Sequence, residues 1–204
     1  MSRRTKAHEW EMHPELLTSI RSPWEKYRKV DWNFARYEDA VFTRPCDPEA
    51  VVYSALDFCV AVVALRDWTR KTLTRDLRTG GKALPSVLAS VSEFPALVAQ
   101  RVRWQAAIEA IANTTKHAEY RDTGWPMGLA RPSSFYPPFL QAEHEACKDG
   151  LELFAFMHKY KDVTWWDISL RQHPSEEAEP GYVAFGDVLD QWAGILKDLG
   201  YQDD

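Results

Sequence analysis

Long apolar runs are missing from this chain of 204 residues; the longest, Phe58 to Leu65, spans eight. A membrane-crossing helix needs about 20, so no transmembrane span and no membrane partner are expected. The basic start, Ser2-Arg3-Arg4-Thr5-Lys6, has no apolar stretch behind it and so does not read as a secretory leader. Cysteine is scarce: Cys46, Cys59 and Cys147 are an odd, widely spaced set with no C-x-x-C. That excludes a disulfide framework and makes a reducing, cytoplasmic setting the simplest expectation. Glycine is scarce too, at nine residues, and no Gly-rich phosphate loop, nucleophile elbow or H-E-x-x-H is present. No cofactor is therefore expected. The one ligand-rich stretch, Glu143-His144-Glu145-Ala146-Cys147, lacks the paired spacing of a zinc site, so no metal is expected either. Internal repeats and low-complexity tracts are absent.

What is present is the composition of an ordinary globule, with 45% hydrophobic and 27% charged residues. The net charge of −5 argues against global attraction to nucleic acid, though a local basic patch stays open. Nine Trp, eight Tyr and nine Phe imply a bulky core.

Residues 1–49 read as an irregular N-terminal segment with short helices at 14–20 and 33–42, and residues 50–204 as a helical domain. Asp47-Pro48-Glu49 looks like a helix start, with Asp47 as N-cap. Val51, Val52, Ala55, Leu56, Cys59, Val62 and Val63 follow in steps of three and four, predicting a buried helix to about Leu77 that ends at Gly80-Gly81. Asp67 can pair with Lys71 at i, i+4. A second helix is predicted over 95–118 and a third over 139–160, with a Pro-rich loop at 124–138 between them. Residues 162–172 alternate as a strand, with 181–185 as its partner. Asp187 is a candidate N-cap for a last helix ending at Gly200. The fold class is thus mainly α, an up-down helical bundle with a small β-hairpin before the C-terminal helix.

One segment invites chemistry. On a helix, Glu109, Asn113 and Lys116 fall within about 60° of one another, His117 lies about 40° beyond Asn113, and Gln105 extends the face one turn back. A carboxylate, an amide, an ammonium and an imidazole thus gather near one helix end. An imidazole can act as acid or base near neutrality, and a cation beside it can hold a phosphate. Asp57 interrupts the apolar part of the first long helix. A buried carboxylate there would need a partner such as Lys116, His117 or Arg101. Two basic stretches interleaved with or flanked by aromatics, 21–37 and 66–82, have the residue types that hold phosphates and stack bases.

The pairing of Ala55-Leu56-Asp57-Phe58 and Leu65-Arg66-Asp67-Trp68 on one helix with Asn113-Thr114-Thr115-Lys116-His117 closing a later one resembles a bacterial subgroup of the HEPN superfamily. The likeness covers about residues 50–199, with its specific part confined to these motifs. It implies a helical, commonly dimeric protein, often a metal-independent ribonuclease or RNA-binding component of a toxin–antitoxin or phage-defence system, with an antitoxin or defence protein as partner. It implies His117 as acid/base, Lys116 and Asn113 as phosphate-positioning groups, and Glu109 or Asp57 orienting the imidazole. The family's signature arginine has no counterpart: the slots separated from His117 by four to six intervening residues hold Ala110, Ile111 and Ala112. Two other readings stay open. One is a non-catalytic interaction module with the 109–117 face as a polar network. The other is a small-ligand binder with Trp125–Tyr136 as a lid.

Overall fold

The computed structural model describes residues 20–114, 128–135, 138–160 and 165–202. The protein is mostly helical, with a small three-stranded antiparallel sheet. Helix α1 runs Pro23–Phe42. It starts at Pro23 because Ser22 and Glu25 close a capping box, satisfying donors at both ends of the first turn. The helix anticipated at 33–42 is its C-terminal half. The helix anticipated at 14–20 lies outside the described residues.

Helix α2, Pro48–Arg78, starts where the sequence indicated, with the Asp47 carboxylate accepting the Glu49 N–H at 2.9 Å. Its buried face, from Val51 through Phe58, Val62 and Leu65 to Leu73, packs on α1 and on helix α4, Gln105–Thr114. By length and composition α2 could cross a membrane, since one 18-residue window reaches a mean hydropathy of 1.7. A count of uninterrupted apolar residues does not register this, because Asp57 is the one charge between Ala50 and Leu65. Half of that window is buried inside the fold, against α1, α4 and the sheet.

The helix anticipated over 95–118 is two helices, α3 at Phe94–Arg101 and α4. The break follows from tertiary partners. At Val102 the chain turns extended, and the Arg103 N–H donates to Gln191 at 3.0 Å while its carbonyl accepts from Gln172. The Arg103 guanidinium also pairs with Glu179 at 2.9 Å. Backbone groups that a continuous helix would use internally are satisfied by distant elements instead. The helix anticipated over 139–160 is likewise divided, into α5 at Pro138–Glu145 and α6 at Gly150–Lys159. Asp149 starts the second piece by accepting the Leu151 and Glu152 N–H groups, each at 2.9 Å.

Strand β2, Trp165–Arg171, is present as read, and β3 is the short Glu179–Pro180. The segment 181–185, read as the pairing strand, instead opens helix α7, Gly181–Asp198, so Asp187 is not the N-cap. The Pro-rich stretch read as loop supplies β1, Leu129–Phe135, antiparallel to β2 with Leu129 opposite Arg171 and Phe135 opposite Trp165. The sheet order is β1-β2-β3, so β1 is an edge, where Pro132 is tolerated. At the far end of α7, Gly200 (φ 75°) closes the helix as anticipated. The Gly200 N–H reaches Lys197 and the Tyr201 N–H reaches Leu196, the pairing that a left-handed glycine permits.

The core lies between α1, α2, α4, α7 and β2. Phe58 packs on Phe185 with ring centroids 4.7 Å apart, and Tyr37 packs on Phe185 at 5.1 Å. Trp104 and Trp192 are also buried, so much of the aromatic content is core. Cys59 is a buried core residue, as its apolar run suggested, and burial raises its thiol pKa.

Candidate functional site: a polar network where α2 meets α4

The first two turns of α4 present Gln105 and Glu109 toward neighbouring helices. Gln105 is almost fully buried, and its amide is used at both ends. Its oxygen accepts from the Trp192 indole N–H of α7 at 3.3 Å, and its nitrogen donates to the Glu109 carboxylate at 2.8 Å. Glu109 then pairs with the guanidinium of Arg66, which α2 brings in from the side. Arg66 also grips Asp67 with two hydrogen bonds, at 2.9 and 3.1 Å. The line Trp192–Gln105–Glu109–Arg66–Asp67 therefore runs from the core to the surface. Burial works against the charge on Arg66, but the Glu109 and Asp67 carboxylates outweigh it and raise its pKa. The Arg66 side chain is about one-quarter exposed (27%), so it meets solvent at the outer end of the line.

Arg66 bears directly on the missing arginine. Ala110 and Ala112 are buried and Ile111 packs against the core. A cation at those slots would have to be buried or would displace core packing. Arg66 comes instead from another helix, onto the carboxylate one turn ahead of Asn113. Asn113 is half-buried at the end of α4. Lys116 and His117 lie outside the described residues, as do Trp125, Met127 and Tyr136 of the proposed lid.

Asp57 does not join this group. It stands nine residues before Arg66, about 180° around the helix. Its side chain is exposed, and among the described residues its partner is Arg36 of α1 at 3.8 Å, not Arg101. Arg101 is paired with Asp198. The expectation of a buried Asp57 fails because this turn of α2 faces outward beside α1. Asp67 is held by its neighbour Arg66 and not by Lys71. Among the described residues no three His, Cys, Asp or Glu side chains gather to hold a metal ion, and Glu143 is engaged by Lys159 and Tyr160.

A second polar cluster escaped the sequence reading. Asp167 of β2 is fully buried. It accepts from the Tyr37 hydroxyl, from its neighbour Ile168 N–H at 2.7 Å and from the Tyr182 N–H at 3.2 Å. The last of these caps α7, whose own N-cap, Pro180, has no side-chain acceptor. Burial pushes the Asp167 carboxyl above its ordinary value, against the pull of these donors. A lone Asp among Trp166, Ile168 and Leu170 was the available signal.

Comparison with family models, with curated proteins and with solved structures finds no match to this chain.

Proposed function

We propose that this chain is an RNA-directed protein of the HEPN-like kind, an up-down helical bundle serving as a metal-independent ribonuclease or RNA-binding component of a toxin or defence system. The observation that carries the reading is the Arg66 guanidinium on Glu109. It supplies, from α2, a cation beside the α4 face that carries Glu109, one turn before Asn113. In this proposal His117 is the acid/base, Lys116 and Asn113 position phosphate, and Glu109 holds Arg66 in place. Gln105 and Arg66 share one Glu109 oxygen, Oε1, which leaves Oε2 to orient the imidazole in this scheme. Asp57 has no part in it. The active form would be a cytoplasmic homodimer, with an antitoxin or defence protein as a further partner.

The test is cleavage of mixed total RNA, with chelator present, by the wild-type protein, His117→Ala and Arg66→Gln, all matched for folding and oligomeric state. Cleavage abolished in His117→Ala and reduced at least tenfold in Arg66→Gln is expected. Equal cleavage by all three would overturn the catalytic assignment.

A second reading has its own observation. Gln105 is paired with Trp192 and Glu109, and Glu109 with Arg66, as a structural network in a non-catalytic interaction module would be. Under that reading none of the three proteins cleaves RNA.

A further inference from the structure

We propose that the exposed face of α2 from Arg66 to Arg78 is a phosphate track for one strand of RNA. This rests on the RNA-directed reading above and names the surface that would hold the strand. Segment 66–82 has six basic and two acidic residues in a chain whose net charge is −5. Both acids are engaged: Asp67 by Arg66, which it shares with Glu109, and Asp76 by Arg75 at 3.1 Å. Lys82 is occupied as well, donating to the Gly200 carbonyl at 2.9 Å and lying over the Tyr201 ring. Arg70, Lys71 and Arg78 remain. All three are exposed, and none has a carboxylate partner among the described residues.

Their placement is directional. Counted from Arg66, Arg70, Arg78 and Lys71 fall within about 140° of arc, over about 18 Å of helix. Arg70 and Lys71 flank Asp67 and Thr74 in a shallow open groove. Arg78 lies in the last turn, where a cation also offsets the helix dipole. Arg70 and Lys71 lie too far from that end for the same explanation. A single row of cations on one helix suits one sugar-phosphate backbone. Arg66 joins the row to the polar face of α4, so a strand on the track passes the candidate site.

Binding of a labelled single-stranded 12-nucleotide RNA, followed by anisotropy from 50 to 200 mM salt, tests the track. The salt slope for single strands is about −0.7 per neutralised phosphate. Replacing Arg70, Lys71 and Arg78 together by Gln should therefore flatten the slope by about 2. Over this fourfold salt range the wild-type protein should lose about fifteenfold more affinity than the triple variant. Arg75→Gln, whose guanidinium is engaged by Asp76, should change the slope by less than half that amount. Thermal melts of each variant confirm folding. Wild-type binding with an unchanged slope in the triple variant overturns the track and leaves the RNA-directed reading standing. No binding by the wild-type protein at any salt overturns both. Labelled polyglutamate bound as tightly as the RNA overturns the track in favour of an acidic protein partner.

Discussion

Two glycines of α7 make one substitution a test of the fold with opposite expected signs. Gly181 opens the helix against the Asp167 cluster. A Cβ there would meet the Tyr37 hydroxyl, the Ile168 carbonyl at 2.9 Å and the Asp167 carboxylate at 3.0 Å. All three are backbone or fully buried groups, so the cluster cannot yield cheaply. Forcing a methyl into such packing costs about 1–3 kcal/mol. Displacing Asp167 would also free the buried Tyr182 N–H and Tyr37 hydroxyl, at about 1–3 kcal/mol for a group left unpaired. Gly181→Ala should thus destabilise by at least about 2 kcal/mol, or roughly 4–8 °C in a domain of this size. Gly194, four turns along, has nothing within 4 Å of its virtual Cβ. There Ala removes only the glycine entropy penalty and should stabilise by about 0.5–1 kcal/mol. Parallel urea and thermal unfolding of both variants is the assay. Shifts of the same sign, or a neutral Gly181→Ala, would refute the placement of Tyr37 and Asp167 around the start of α7.

The remaining expectations concern the two polar clusters. Asp167 binds its proton more tightly folded than unfolded, so its contribution to stability falls as pH rises from the ordinary carboxyl value near 3.8 through the raised folded value. Asp167→Asn should flatten that part of the urea-midpoint profile, and an unchanged profile would count against the shift. Gln105→Ala leaves the Trp192 indole N–H without its acceptor, with a cost of about 1–3 kcal/mol by chemical denaturation. The Arg66–Glu109 pair is partly exposed, so a double-mutant cycle on stability should give a coupling of no more than about 1 kcal/mol. A coupling several times larger would mean that the pair is a structural anchor.

Legibility in the sequence divided along a physical line. Helix α2 could be read because its signals are local: Asp47-Pro48 at the start, apolar steps of three and four, and glycines at the end. The end of α7 could be read at Gly200 for the same reason. The break between α3 and α4 could not. The apolar stripe of Leu97, Trp104, Ile108 and Ile111 continues across it, and the groups that hold it open, Gln172, Glu179 and Gln191, come from distant elements. Strand β1 was invisible because Leu-Ala-Arg-Pro-Ser-Ser-Phe has no β-branched residue and contains a proline. It is a strand because β2 pairs with it along its whole length. In the candidate site, the Gln105 and Glu109 face was legible from helical spacing. Arg66 was not, since a search for the cation along α4 passes over one that α2 delivers through space.

The two clusters differ in a way that separates architecture from work. Around Asp167 the acceptor capacity is spent on Tyr37, Ile168 and the first turn of α7, and the carboxylate has no exposure. Such a group can hold three elements together and can do little else, because a ligand would have to unfold the α7 start to reach it. The line from Trp192 to Arg66 has the opposite gradient. Its inner end is buried and fully bonded, while its outer end is a guanidinium with solvent on one side. Anchoring a cation through a carboxylate, an amide and an indole fixes its position without hiding it. A partly exposed pair contributes little to stability, so the stabilising effect of this line is expected at its buried Gln105–Trp192 end and little of it at Arg66.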